Sequence, residues 1–252
     1  MKKIAFILTI IPLPFIVFSQ ETKNSGIVTY ETVRKLEFKL QNNEDSELAS
    51  MLPKERKSKK ELVFNREQSL YRNPLKENTD NEVVNESAGG ANITIKMVEP
   101  EDFVFMDMKN KTKTELREFM GRKFLIDSST DTVKWKITGN QKEIIGYNCL
   151  EAELAGAKDR TLAWFAPTLS FGAGPDGFTG LPGLILAMDI DNGKKSITAL
   201  NIDFKEIDPK EIAKPKGGKK VTDEEFNQIV EEKNKEMNSS GGGMIMIKVE
   251  EN

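Results

Sequence analysis

Short runs of alternating apolar and polar residues recur roughly every 8–14 positions along most of the chain, a spacing typical of successive β-strands. Turn-forming residues such as Gly121, Gly139 and Gly193 stand between the runs, and no long helical pattern separates the central ones. Short connections of this kind favour an antiparallel meander over βαβ units. The runs are 26–33, 61–65, 69–71, 92–97, 102–108, 113–119, 122–126, 133–137, 148–154, 160–165, 184–190 and 196–204.

So many strands must curl or divide to protect their edges. The pattern therefore predicts a mainly β protein, in which the antiparallel meander forms a strongly curved sheet or half-barrel. A two-sheet sandwich is the alternative. Residues 54–60 are almost all charged and are interpreted as a solvated loop, and residues 73–90 carry few large apolar side chains and are interpreted as a mobile insertion.

Residues 184–188 are apolar at every position, so the strand they form should be covered on both faces. The aromatic residues expected to cover it are Trp135, Trp164, Phe165, Phe171 and Phe178. Two interpretations stay open at this point: a filled core, or an apolar cavity lined by these rings that takes a lipid or peptide.

Both ends of the chain differ from the β region. Lys2 and Lys3 precede an apolar stretch over 4–18, which predicts a Sec signal peptide at 1–19, cleaved after Ser19. The protein is then periplasmic or extracellular, with no stable membrane span after cleavage. The β domain is expected over 20–213. It is followed at 214–252 by a linker, a helix at about 222–237 that begins with a capping box from Thr222 to Glu225, and a Gly-rich tail.

Composition narrows the possible chemistry. The 252 residues include no histidine and one cysteine, which excludes Ser-His-Asp catalysis, imidazole metal sites and an intrachain disulfide. With 37 Lys and Arg against 40 Asp and Glu, the chain is mildly acidic, so nucleic acid is not an expected partner. No cofactor or metal is expected. Cys149 is interpreted as a packed thiol, with a reactive thiol or an intermolecular disulfide as alternatives.

Carboxylates are the remaining candidates for catalysis. Glu99, Glu101 and Asp102 form one group, and Glu151 and Glu153 form another, but neither has a distinguishing spacing. Residues 189–193 suggest a calcium loop, yet Gly193 is fifth in the EF-hand frame rather than sixth, so a tight turn at 191–193 is predicted instead.

The Gly-rich stretch 172–183 lacks the Lys-Ser/Thr ending of a phosphate-binding loop. It ends in the hexapeptide GLPGLI at 180–185, after Trp164 and Phe165, and the runs Trp135–Ile137 and Ile145–Cys149 lie upstream. With these motifs the chain resembles the GLPGLI family of secreted, β-rich proteins from Bacteroidota-type bacteria. The resemblance covers about residues 100–205 and implies a location and a fold, without an activity.

We expect the hexapeptide to be chiefly architectural. Leu181 to Leu184 should form a type II turn, with Gly183 at the position that requires a positive φ. The alternative is that this segment is the lip of a binding groove. The residues of the possible binding loop are Trp164, Phe165, Phe171, Gly174, Pro175, Phe178, Gly180, Leu181, Pro182 and Gly183.

These observations favour a non-enzymatic envelope protein that binds a protein partner or an apolar ligand. A carboxylate-dependent hydrolase-type enzyme and a purely structural envelope protein are the alternatives.

Overall fold

A computed structural model of the chain describes residues 24–36, 53–75, 82–88, 91–97, 100–130 and 133–239. The predicted signal peptide and the Gly-rich tail after residue 239 lie outside the described residues. Within these ranges, no helix combines the length and apolar character needed to cross a membrane.

Within the described residues, twelve strands form one large sheet, and two more form a separate hairpin. The predicted curved, mainly β fold with a C-terminal helix is confirmed, and the sandwich alternative is not adopted. The strands are β1 (Gly26–Lys35), β2 (Glu55–Phe64), β3 (Gln68–Arg72), β4 (Glu82–Ala88), β5 (Ala91–Met97), β6 (Phe103–Asp107), β7 (Thr112–Phe119), β8 (Arg122–Ser129), β9 (Trp135–Ile144), β10 (Tyr147–Leu154), β11 (Leu162–Ala166), β12 (Leu184–Ile190), β13 (Lys195–Phe204) and β14 (Lys219–Val221).

The large sheet consists of two meanders joined side by side. Its order is β14-β8-β7-β6-β3-β2-β1-β13-β12-β11-β10-β9, so β1 pairs with β13 from the far end of the chain. Every pairing is antiparallel except that of β14 with β8. The tight turn predicted at 191–193 is confirmed: Lys194 N donates to Asp191 O at 3.1 Å and connects β12 to β13.

Residues paired across adjacent strands point to the same side of a sheet, so the register defines its two faces. We call the face that carries Tyr30, Leu62 and Tyr71 the inner face, because the segment between β11 and β12 packs there. On the opposite face, Val63, Leu70 and Phe105 pack against Ile207 and Ile212 from the chain after β13.

The C-terminal helix α1 (Asp223–Ser239) begins one residue after its predicted start. Thr222 N donates to Glu225 Oε2 at 2.9 Å and Glu225 N donates to Thr222 Oγ1 at 3.1 Å, which confirms the capping box. Phe226 anchors the helix by packing edge-on against Phe124 of β8, with ring centres 5.4 Å apart.

Two local predictions differ from the structure, and a third stays a prediction. The charged residues 55–60 begin β2 instead of forming a loop, because β1 supplies backbone partners along the whole segment. Gly139 lies inside β9 with φ of 92°, beside a register shift opposite β10, so it bends the strand instead of ending it. The segment 73–90, predicted to be a mobile insertion, contains β4, which pairs with β5 outside the large sheet; its mobility stays a prediction.

Candidate functional site

The segment 171–183, which we call the signature loop, packs on the inner face. The ring of Phe171 stacks on Phe64 of β2, with centres 4.8 Å apart. Tyr30 of β1 donates its hydroxyl hydrogen to the carbonyl of Ile185 at 2.7 Å, which ties β12 to the floor beneath the loop. The loop therefore takes the place of a second sheet over the middle of the inner face.

Two hydrogen bonds at Thr179 hold the loop in shape, one within the loop and one from β9. Thr179 Oγ1 donates to Gly172 O at 2.6 Å, and Trp135 Nε1 donates to Thr179 O at 2.7 Å. Gly174 is required by close packing, because a Cβ at that position would lie 2.7 Å from the Ile185 side chain.

Gly183 is needed for a reason that the sequence did not indicate. The predicted type II turn is wrong: φ at Gly183 is 159°, and Leu184 N donates to Leu169 O at 3.0 Å instead of to Leu181. A Cβ on Gly183 would lie 2.3 Å from the carbonyl oxygen of Ala166. A glycine at this position therefore allows the end of β11 and the residue before β12 to approach each other closely.

The ten residues of the predicted binding loop do not form one open surface. Phe165, Phe171, Gly174, Pro175, Leu181 and Gly183 are buried, while Gly180 and Pro182 are exposed. Trp164 and Phe178 are partly buried against the core. Trp135 lies 6.1 Å from Phe178 between ring centres, so all the predicted aromatic residues contact the core cluster.

A second feature lies beside the loop: six charged side chains, which we call the charged basin. Asp176 at the tip of the loop forms an ion pair with Lys195 of β13, and both side chains are about one-fifth exposed, at 23% and 22%. The strand register places the other members on the inner face nearby. The charged basin consists of Arg34, Lys113, Glu115, Arg117, Asp176 and Lys195.

Packing of the loop tip brings these groups together. A Cβ on Gly177 would lie 2.7 Å from Val104 Cγ1 and 3.1 Å from Lys113 Cδ, so the tip rests on β6 and β7. On β7, Glu115 is held between two cations, with Lys113 Nζ at 2.8 Å and Arg117 Nε at 3.1 Å. The side chain of Glu115 is only 3% exposed, whereas those of Lys113 and Arg117 are each 24% exposed.

The pKa values of Asp176 and Lys195 show how burial and neighbouring charges act on the ion pair. Burial acts to raise the pKa of Asp176, but Lys195, Arg34 and Arg117 outweigh that effect and lower it to about 2. Burial lowers the pKa of Lys195, and repulsion from Arg34 and Arg117 adds to this against the attraction of Asp176. The carboxylate is therefore well stabilised, whereas the ammonium group is not.

Two neighbouring hydroxyl groups, those of Tyr71 and Thr32, are buried at the edge of the basin. Tyr71 is 4% exposed and Thr32 is 2% exposed, and neither Tyr71 Oη nor Thr32 Oγ1 makes a hydrogen bond of good geometry. Burial raises the pKa of Tyr71 and the charge of Asp176 raises it further, whereas a weak hydrogen bond with the Thr32 hydroxyl and the charge of Arg34 lower it. Tyr71 is therefore a neutral phenol beside the charged groups.

The carboxylates proposed from the sequence are engaged elsewhere. Glu151 accepts hydrogen bonds from Thr138 Oγ1 at 2.7 Å and Asn140 Nδ2 at 3.0 Å. Glu153 lies 3.7 Å from Arg160, across the large sheet from the basin. Asp102 and Glu101 form contacts at the β7–β8 edge, where Glu101 accepts from Lys123 at 2.6 Å, and Glu99 lies outside the described residues.

Two further predictions concern ligands and the thiol. Cys149 is fully buried and belongs to the main core cluster, as expected of a packed thiol, and burial raises its pKa to about 11 although Lys142 lowers it. Over the described ranges, no three His, Cys, Asp or Glu side chains are grouped as a metal site requires.

Sequence reasoning missed the charged basin. One local signal was present: charges at alternate positions 113, 115 and 117 place all three on the same face of a strand. However, that pattern does not indicate which face is buried. Arg34 comes to lie beside Lys195 through the pairing of β1 with β13, and Asp176 reaches Lys195 from the tip of the signature loop.

Comparison with known proteins finds a solved structure of similar fold. No family model and no curated protein matches the chain. The solved structure of PNGF-II in space group P21 aligns with a TM-score of 0.53 at 15% identity, covering 82% of this chain and 33% of that one. The same protein in space group C2 aligns with a TM-score of 0.49 at 17% identity. The chain thus spans about a third of PNGF-II, and the likeness concerns the fold alone.

Proposed function

We propose that this is a non-enzymatic protein of the bacterial envelope, periplasmic or extracellular, that binds a partner protein through the charged basin. One observation carries the proposal: the signature loop covers the apolar part of the inner face and leaves a concentrated set of charges at its tip. Partly exposed groups on a rigid sheet, next to a tightly packed loop, are suited to recognition.

Packing favours a partner protein over an apolar ligand. Phe165 and Leu181 are 0% and 4% exposed, and Phe171 fills its space against Phe64. Rings buried in this way act as core, because a cavity for a lipid would leave part of their surface free.

Electrostatics favours binding over carboxylate catalysis. A general acid needs a pKa raised towards neutrality. The described carboxylates whose pKa departs from its ordinary value all have a lowered pKa. They are Asp107, Glu115, Asp127, Asp176 and Glu231. Such groups remain ionised and are better suited to holding a positive neighbour than to donating a proton.

The export part of the proposal rests on the N-terminal sequence. Fractionation of the native bacterium should place the protein in the periplasm or the medium, with Gln20 as its first residue. A cytoplasmic protein that retains Met1 would contradict it.

Cross-linking in the native bacterium tests the binding site. We expect a discrete cross-linked partner with the wild-type protein and with Pro182→Ala, which alters an exposed residue of the loop. Arg34→Gln should lose that product while the protein remains folded. Equal cross-linking by Arg34→Gln would refute the basin as the site. A lipid retained in native mass spectrometry, or turnover abolished by one carboxylate substitution, would instead support the rejected alternatives.

A further inference from the structure

The charged basin holds more positive than negative charge. Among the described residues of the basin, Arg34, Lys113, Arg117 and Lys195 stand with two carboxylates, Asp176 and Glu115. The whole chain has the opposite balance, with a formal charge of −3. A partly buried site with two more cations than anions, in an acidic protein, has the charge needed to attract an anion.

The strand register makes the excess positive charge costly. Arg34 lies directly opposite Lys195 on β13 and directly opposite Arg56 on β2, so three cationic side chains share one row across the inner face. Like charges in directly opposed positions destabilise a sheet. Asp176 pairs with Lys195, at one end of this row. A second anion bound next to Arg34 would reduce the repulsion between Arg34 and Lys195.

Neutral donors are available at the same place. Arg34 acts electrostatically on Tyr71, whose hydroxyl lies beside that of Thr32, two residues before Arg34 on β1. Both hydroxyls are buried, and neither makes a hydrogen bond of good geometry. Even if Thr32 donates to Tyr71, the Tyr71 O–H hydrogen has no acceptor, and buried donors are normally satisfied, so an acceptor is missing beside the row of cations.

We propose that the charged basin binds an oxyanion, namely a carboxylate, sulfate or phosphate group, between Arg34 and Lys195, with the Tyr71 hydroxyl as an additional donor. This inference rests on the proposed function, since the oxyanion would be the group through which the partner is recognised. Arginine suits this role because its planar fork pairs with two oxygens of such a group at once.

Titration of the exported chain with acetate, sulfate and inorganic phosphate tests the inference. Ionic strength is kept constant by replacing chloride, and binding is followed by NMR shifts of the arginine Nε–H groups. We expect a saturable shift at Arg34. Tightest binding of acetate would indicate a carboxylate source such as an acidic peptide, and tightest binding of sulfate or phosphate would indicate an ester.

Three variants give the inference its controls. Arg34→Gln should weaken binding roughly tenfold or more, since a hydrogen bond to a charged group is lost. Tyr71→Phe should weaken it a few-fold without unfolding the protein, and Arg122→Gln, an exposed residue on β8, should leave it unchanged. Shifts that do not saturate, or that respond equally to Arg122→Gln, would overturn the oxyanion site.

The two proposals can fail separately. If no oxyanion binds but the partner cross-link still depends on Arg34, the oxyanion inference is wrong and the proposed function stands. If oxyanions bind at Arg34 but the cross-link survives Arg34→Gln, the basin binds an anion and the proposed recognition role is wrong.

Discussion

Replacement of Gly183 by alanine should destabilise the protein strongly although it adds a single methyl group. The new Cβ would lie 2.3 Å from Ala166 O and 2.7 Å from Ala166 C, both backbone atoms. A comfortable contact is ~3.5 Å, so the two segments must separate by roughly 1 Å. L residues rarely adopt the φ of 159° found here, so backbone strain adds to the penalty from this contact.

Separation of these segments acts directly on the start of β12. Ala166 pairs with Leu184, and both Leu184 and Ile185 are fully buried. Each such side chain contributes about 1.5–3 kcal/mol through burial, and overpacking costs a further 1–3 kcal/mol. If about half of the burial is lost, the free energy of unfolding falls by roughly 3–5 kcal/mol, which lowers Tm by about 10 °C in a domain of this size.

Thermal unfolding followed by circular dichroism measures this effect, with Pro182→Ala as the matched control in the same hexapeptide. Pro182 is exposed, so its replacement should change Tm by no more than a few degrees. The reasoning would be refuted if Gly183→Ala melted within about 2 °C of wild type, or if Pro182→Ala were equally destabilising.

Three further predictions address the core, the ion pair and the helix. Tyr30→Phe should lower the free energy of unfolding, measured in urea, by about 1–2 kcal/mol because Ile185 O loses its donor. Tyr71→Phe should be close to neutral because the Tyr71 hydroxyl makes no hydrogen bond of good geometry, and equal effects of the two variants would refute this. Asp176, with its pKa lowered to about 2, should contribute about 2 kcal/mol to the free energy of unfolding at pH values above its unfolded pKa of 3.8, and this contribution should disappear as pH falls from about 4 to 2. Asp176→Asn should reduce this loss of stability in acid, and an unchanged slope of the free energy of unfolding against pH would contradict the prediction. Phe226→Ala should release α1 and increase its hydrogen exchange, while exposed Asn227→Ala should not.

Much of the fold could be predicted because its signals are local. The run at Leu184–Ile190 has the predicted boundaries and is buried over its first five residues, as its uniform apolar character requires. The capping box at Thr222 and the turn at 191–193 are likewise determined by neighbouring residues. In these cases, side-chain pattern and backbone preference agree over a few positions.

The remaining features depend on partners distant in the sequence. Residues 55–60 form a strand because β1 provides its hydrogen bonds, although their charges are typical of a loop. Gly183 resembles a turn glycine, but its neighbour across the gap is Ala166, seventeen positions earlier by number. The charged basin depends on β1 lying beside β13, which no local pattern indicates.

The affinity of Asp176→Asn for sulfate tests the central claim most directly, namely that the basin carries excess positive charge and that Asp176 partly occupies the place of an anion. Asparagine accepts the positive φ of 51° at this position, so the loop tip should keep its shape. We predict that this variant binds sulfate about tenfold more tightly than wild type, measured by NMR titration at constant ionic strength, and that sulfate raises its Tm more. Unchanged or weaker binding by a folded Asp176→Asn protein would contradict the account.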